Sequence, residues 1–170
     1  MRMIRLIKKE GVSIPEYQTS LASGADVVAN SIIKVYKGDK EVFPEVLAKI
    51  KEGFEERGYI KIRAFERILF GTGLIVADMP RELEIQVRAR SGTSLKQGLM
   101  LVNGIGTVDS DYRGEIGVPL LNCSPFMTTI NKGDRIAQIV PVKAEKTEFV
   151  ESFEVVETNR GAGGFGSTGK

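Results

Sequence analysis

Asp109 and Asp111 stand close together in Gly106-Thr107-Val108-Asp109-Ser110-Asp111-Tyr112-Arg113-Gly114-Glu115, where two strand-like runs flank an acidic turn. An ordinary aspartate has a reference pKa of about 3.9, so at neutral pH it is ionised and able to deprotonate or orient a water. The same residues also suit a β-hairpin with common turn chemistry. A second cluster, Arg88-Ala89-Arg90-Ser91-Gly92-Thr93-Ser94-Leu95-Lys96-Gln97-Gly98, supplies guanidinium forks, hydroxyls and unhindered amides. Those groups match phosphate oxygens, although a polar loop after a strand would look much the same. A third cluster is the C-terminal stretch RGAGGFGSTGK, which combines glycine amides with Ser167, Thr168, Arg160 and Lys170. It offers anion-binding groups and one flat apolar ring, Phe165. It does not match the glycine-rich phosphate loop GxxxxGK[ST], because no Ser or Thr follows Lys170.

Composition narrows the chemistry further. The 170 residues include no histidine, no tryptophan and a single cysteine, Cys123. Imidazole bases, Ser-His-Asp catalysis and histidine-ligated metals are therefore excluded. An internal disulfide is excluded as well. Any catalysis must rest on carboxylates, cations, hydroxyls, backbone amides or a hard metal ion. Cys123 reads as a small buried hydrophobe. The formal charge of +2 is too balanced for a duplex-binding surface. No apolar run reaches the roughly 18 residues of a membrane span. A soluble intracellular protein is expected, with no stable nucleic-acid or membrane partner.

These groups must be held by a framework, and its periodicity is that of strands. Leu83-Glu84-Ile85-Gln86-Val87-Arg88-Ala89-Arg90 alternates apolar and polar residues without interruption, as a half-buried strand does. Tyr59–Phe65 behaves similarly. Further strands are expected at Met3–Ile7, Ser31–Tyr36, Leu69–Ala77, Leu99–Val102, Gly114–Leu121, Arg135–Val142 and Glu148–Val155. Turn residues separate most of them, which points to an all-β jelly roll or distorted barrel. One stretch departs from this. From Pro44 to Arg57, Val46, Leu47, Ile50 and Phe54 recur at helical spacing, with Pro44 at the start and Gly58 just past the end. A single helix is expected inside an insertion at about 39–58, packed on the β framework, with a face that could also serve a regulatory partner. The body should cover 1–159, followed by a mobile glycine-rich arm over 160–170.

Five blocks in order resemble the motifs of the trimeric dUTPase family. They are GADV at Gly24–Val27, RSGTSLKQG at Arg90–Gly98, NGIGTVDSDYRGE at Asn103–Glu115, GDRIAQ at Gly133–Gln138 and RGAGGFGSTG at Arg160–Gly169. The resemblance implies hydrolysis of dUTP to dUMP and pyrophosphate, which limits uracil incorporation into DNA and supplies dUMP for dTMP synthesis. It implies that Asp109 activates the water that attacks the α-phosphorus. Tyr112 would pack under the deoxyribose, while Asn103, Thr107, Val108 and Gly117 would read the uracil edge. Arg90, Ser91, Gly92 and Gln138 would hold phosphates. Asp26 would help hold Mg²⁺ through water. The arm would close with Phe165 over uracil, Gly166 beside it, Arg160 near the phosphates, and Ser167 and Thr168 on the γ-phosphate. A homotrimer with shared sites is implied.

The chain departs from the usual family pattern at Ala25, at Ala89 and in the inserted helix, and none of these removes a catalytic group. A dCTP deaminase is the nearest rival enzyme, because it shares the jelly roll. The block GTVDSDYRGE and the C-terminal motif favour the hydrolase. A reading from another class is a regulatory module that signals through the helix.

Overall fold

The computed structural model describes residues 2–164. In chain order its elements are β1 (Arg5–Lys8), β2 (Ala25–Val28), β3 (Ser31–Lys37), β4 (Lys40–Glu41), α1 (Pro44–Arg57), β5 (Tyr59–Ile62) and β6 (Arg67–Asp78). They continue with β7 (Leu83–Ala89), α2 (Ser91–Gln97), β8 (Leu99–Leu101), β9 (Gly106–Val108), β10 (Glu115–Asn122), β11 (Thr128–Asn131) and β12 (Arg135–Lys143). The protein is mostly β, as expected.

The long strand β6 organises the larger sheet, ordered β4-β3-β6-β10-β8 with β1 also paired to β6. A second sheet runs β2-β12-β7-β9, and β11 pairs with β5 in a small ribbon. Alternate residues of a strand face opposite ways. The inward set of β7 (Leu83, Ile85, Val87) therefore meets that of β6 and β10 (Ile68, Phe70, Leu74, Ile116, Val118, Leu120) in one buried cluster. β10 shows the alternation most plainly, with every second residue from Ile116 to Asn122 buried.

The inserted helix forms where the sequence places it. Pro44 occupies its first turn, where a missing N–H costs nothing. Gly58 ends it in the left-handed conformation at φ 74°, donating its N–H to Phe54 O. Phe54 is buried and meets the Phe70 ring edge-on at 6.2 Å, and Leu47 and Ile50 are half-buried against the same core. Val46 remains exposed. At the edge of the large sheet, Lys34 Nζ and Tyr36 Oη both donate to Glu41 Oε2, at 3.1 and 3.0 Å. The Lys34 hydrogen bond, with help from Tyr36, holds the Glu41 carboxyl below its ordinary pKa, and the Glu41 hydrogen bond raises that of Lys34.

Four expectations need correction. Ser91–Gln97 is a second helix rather than a turn. Gly98 closes it at φ 64°, and the methyl-bearing Thr93 packs inward. Residues 148–155 form no strand in the described chain, since an extended run needs a partner ladder and none is present. Cys123 is exposed: the neighbouring Asn122 takes the inward position and is wholly buried. Its Nδ2 donates to Ile62 O and Phe126 O at 2.9 and 2.7 Å, and its Oδ1 accepts from Ser124 N at 2.9 Å. The acidic turn is the fourth. β9 pairs with β7, whereas β10 pairs with β6 and β8, so Asp109–Gly114 crosses between sheets and does not cap a hairpin.

Candidate functional site

The polar residues of β7 set the frame. Gln138 is in register with Asp26 of β2 on one side and Arg88 of β7 on the other, and Thr107 of β9 is in register with Gln86. Registered residues share a sheet face, as do positions two apart on a strand. Asp26, Gln138, Arg88, Gln86 and Thr107 therefore lie on one outer face of the second sheet. Glu84, Gln86 and Arg88 form a hydrogen-bonded row along it, with Gln86 Nε2 donating to Glu84 Oε1 at 2.6 Å. Arg88 Nε and NH2 donate to Gln86 Oε1 at 3.0 and 2.6 Å.

At one end of this face is a cationic cluster around a carboxylate. Arg90, immediately before α2, donates from Nε to Asp26 Oδ1 at 2.8 Å and from NH1 to Arg135 O at 3.1 Å. Arg135 NH1 approaches Asp26 Oδ2 at 3.2 Å. The Asp26 side chain is only 16% exposed, so both guanidiniums are needed to compensate its charge. Gln138 Nε2 donates to Ala89 O at 3.1 Å, which ties β12 to the residue preceding Arg90. The Gln138 side chain fits because residue 24 is glycine: a Cβ there would lie 2.4 Å from Gln138 Oε1. Ser91 and Gly92 are exposed on the first turn of α2, and Arg90 and Gly92 line a cleft of about 450 Å³ together with Lys96 and Arg135. Arg135 is absent from the residues the sequence singled out. Its signal was position, three residues before Gln138 within the same GDRIAQ block.

Where β9 meets strands β3, β6 and β10 of the larger sheet there is a cavity of about 600 Å³ lined by Asn103, Thr107, Val108, Tyr112 and Gly117, with Leu69 and Pro119 among its apolar walls. Five candidate base and sugar contacts thus share one cavity. Gly104, at φ 69°, turns the chain so that Asn103 returns toward Gly106. The Tyr112 ring lies over Gly114, where a Cβ would come within 2.2 Å of its hydroxyl oxygen. That hydroxyl donates to Glu115 O at 3.2 Å. The Glu115 carboxylate accepts from Gly73 N and Lys9 Nζ, each at 2.7 Å, which anchors the start of β10 to β1 and β6. Gly114 and Glu115 thus support the cavity, as their place in the same motif could have suggested. Asp109 is exposed on the turn beside the cavity, and its carbonyl accepts the Tyr112 N–H at 3.1 Å.

Within one chain the two ends stay apart. Two residues along β7 and two strand spacings separate Thr107 from Gln138, on the order of 10 Å, with the Glu84–Gln86–Arg88 row between. Arg160 sits in a local turn, donating from Nε to Gly163 O at 2.8 Å. Phe165, Gly166, Ser167 and Thr168 lie outside the described residues.

Mg²⁺ was expected near Asp26. Among the described residues no group of three or more acidic, cysteine or histidine side chains gathers to enclose a cation. Both Asp26 oxygens already face guanidiniums, yet a carboxylate offers about four lone-pair sites. That donor set fits a cation held through water and resting mainly on phosphate oxygens, the usual mode for Mg²⁺. Among the described residues no helix is long and apolar enough to cross a membrane.

Residues 57–169 match the family model described as dUTPase. The chain is 43% identical to the deoxyuridine 5'-triphosphate nucleotidohydrolase of Fusobacterium nucleatum subsp. nucleatum over 98% of its own length and 97% of that protein. Its fold is similar to a Staphylococcus bacteriophage 80alpha dUTPase solved with dUPNHPP, at a TM-score of 0.75 and 19% identity, with both chains covered completely. It is similar also to a dUTPase from phage phi11 of S. aureus, described with a structural Mg(II) ion, at a TM-score of 0.64 and 17% identity over 89% of this chain and 97% of that one.

Proposed function

Because the chain belongs to the dUTPase family, we propose that it hydrolyses dUTP to dUMP and pyrophosphate, with Asp109 as general base. The observation that carries this reading is the presence of two complementary surfaces joined through β7 and β9. One is a cavity with amide and aromatic groups for a deoxynucleoside, and the other is a guanidinium cluster for phosphates.

Asn103 and the backbone at Thr107, Val108 and Gly117 read the uracil edge. A narrow cavity built for those hydrogen bonds rejects the thymine methyl and the altered cytosine pattern. The Tyr112 ring packs under the deoxyribose and excludes a 2′-hydroxyl. Arg90, Ser91, Gly92 and Gln138 bind the phosphates. Asp109 takes a proton from water as the water oxygen bonds to the α-phosphorus. The bond from that phosphorus to the α–β bridging oxygen breaks, and pyrophosphate leaves with the electron pair. Asp26 would help hold Mg²⁺, which when bound would supply neutralisation of charge on the leaving pyrophosphate. Arg160, Phe165, Gly166, Ser167 and Thr168 close over the nucleotide from an arm over 160–170, attached to a body of 1–159.

On this reading the protein is a homotrimer in which neighbouring copies complete each site. The product chemistry limits uracil in DNA and supplies dUMP for dTMP synthesis. The test is pyrophosphate release with Mg²⁺ from dUTP, dTTP, dCTP and UTP separately. Release from dUTP alone is expected; ammonia release from dCTP would overturn the reading in favour of a deaminase.

A further inference from the structure

β6 and β10 lose register just after the turn that carries Tyr112. Glu115 is opposite Ile75 and Gly117 is opposite Gly71, so two steps along β10 answer four along β6. The excess forms a bulge at Thr72 and Gly73, with Gly73 in the left-handed conformation at φ 74°. Gly71, Thr72, Gly73 and Leu74 are all buried, so a backbone N–H left unmatched there would be costly. Side chains close the gap. Thr72 Oγ1 donates to Ile116 O at 2.8 Å and accepts the Leu74 N–H at 3.3 Å. Glu115 Oε1 accepts the Gly73 N–H at 2.7 Å.

The residue that fills the bulge also seats the tyrosine. The Glu115 carbonyl accepts from Tyr112 Oη at 3.2 Å, and the tyrosine ring lies over Gly114. Arg113 NH1 braces the turn by donating to Ser110 O and Tyr112 O, each at 2.9 Å, but both bonds lie within the turn itself. The Glu115 side chain reaches out of the turn to the sheet. It fits because residue 71 is glycine, where a Cβ would lie 2.5 Å from Glu115 Oε1. Its two partners are not equivalent. The Gly73 N–H is buried, whereas the Lys9 side chain that meets Oε2 is 51% exposed. A half-exposed ion pair contributes little, so the contact with the main chain of β6 carries the hold.

We infer that Glu115 is a positioning residue for sugar selection. Its bond to Gly73 sets the height of the Tyr112 ring against the cavity, and with it the room left beside the sugar at the 2′ position. The inference rests on the proposed role of Tyr112 under the deoxyribose, and it moves the control of that role to the bulge in β6. The bond needs an acceptor of the right length, not a charge. A glutamine at position 115 therefore does the same work, and a side chain without an acceptor does not.

The test measures kcat and KM for dUTP and for UTP, with the melting temperature, on the full chain and five variants. These are Glu115→Ala, Glu115→Met, Glu115→Gln, Lys9→Gln and Tyr112→Ala. Misplacing a positioning group by about 1 Å can cost about 10²-fold. In Glu115→Ala and Glu115→Met the preference for dUTP over UTP in kcat/KM should fall roughly tenfold or more, chiefly through a higher KM for dUTP. Glu115→Gln should keep the preference within about threefold, because its amide oxygen still accepts the Gly73 N–H. Lys9→Gln should keep it within about twofold. A purely structural residue would lower the melting temperature and both rates together and leave their ratio alone. The parental ratio in either variant lacking the acceptor, or a Glu115→Gln as poor as Glu115→Met, overturns the positioning role. If Tyr112→Ala loses the preference while Glu115→Met keeps it, only this inference falls. If Tyr112→Ala keeps the parental preference, the proposed role of Tyr112 falls as well.

Discussion

Arg90 and Asp26 form a 2.8 Å ion pair across 64 residues of sequence, joining the residue that opens α2 to a strand at the edge of the same sheet. Arg135 reaches the second oxygen of the same carboxylate, so Asp26 fixes the direction of two guanidiniums. Asp26→Asn removes the charge while keeping the shape. Groups that hold metal-bound waters and orient first contacts typically contribute about 10–100-fold. The Mg²⁺ concentration for half-maximal hydrolysis should rise by about that factor. Arg135→Ala, which leaves the Arg90 pair in place, should cost less. Titrating Mg²⁺ against pyrophosphate release compares the two.

Asp109→Asn should lower kcat by roughly 10²–10⁴ while leaving nucleotide affinity nearly intact, because it removes the proposed general base beside a cavity that persists. Calorimetry with a non-hydrolysable dUTP analogue measures the affinity separately. Near-normal turnover would show that another group accepts the proton.

Asn122→Ala should destabilise the fold by about 2–4 kcal/mol. The change removes the buried amide donor to the Ile62 carbonyl, together with the contacts to Phe126 O and from Ser124 N, and leaves a void where the wholly buried side chain stood. The denaturant midpoint reads this directly. Activity per folded molecule should stay within a few-fold, since none of the three partners faces the nucleotide cavity.

The Lys34–Glu41 pair gives a stability difference whose pH dependence has a fixed sign. Glu41 titrates below its ordinary value in the folded protein, so its contribution is present above the unfolded-state pKa and is lost as pH falls through the depressed one. Lys34 titrates above its ordinary value because of ionised Glu41, so its contribution persists at neutral pH and is lost as pH rises through the raised value. The melting-temperature deficit of Glu41→Gln at pH 7 should therefore vanish in acid, and that of Lys34→Gln should vanish both in acid, where Glu41 is neutral, and in strong base, where Lys34 is. A deficit in Glu41→Gln that grows on acidification would be the wrong sign.

Deleting residues 160–170 should leave the melting temperature of the body unchanged and reduce kcat/KM by about a hundredfold or more, as removal of a closing segment does. Full activity in the truncated chain would remove the arm from the mechanism.

Much of this was legible in the residues because it depends on neighbours in sequence. α1 runs from Pro44 to Arg57 as expected, since proline, apolar spacing and a left-handed glycine act within a few turns. The alternation of β7 likewise announces its own pleat. What escaped depends on distant partners. β2 and β11 are only four residues each and exist because β12 and β5 pair with them. α2 is built from Ser, Gly and Thr, poor helix formers that a cap and a buried Thr93 override. Residues 148–155 have strand-like composition without a ladder. In the site, Asn103, Thr107, Val108 and Tyr112 of the 600 Å³ cavity follow from one motif, whereas its walls Leu69 and Pro119 come from strands β6 and β10. The second guanidinium on Asp26 and the Glu84–Gln86–Arg88 row follow only from strand register.

Gly24 shows that a site can depend on an atom that is missing. Its backbone needs no special dihedral; what matters is the space where a methyl would stand, which the Gln138 amide occupies. Adding that methyl would push Gln138 from Ala89 O and disturb the hold of β12 on β7 just beside Arg90. If Gln138 binds phosphate as proposed, a substitution that touches no substrate would read out as a binding defect, and a scan for contact residues alone would overlook it.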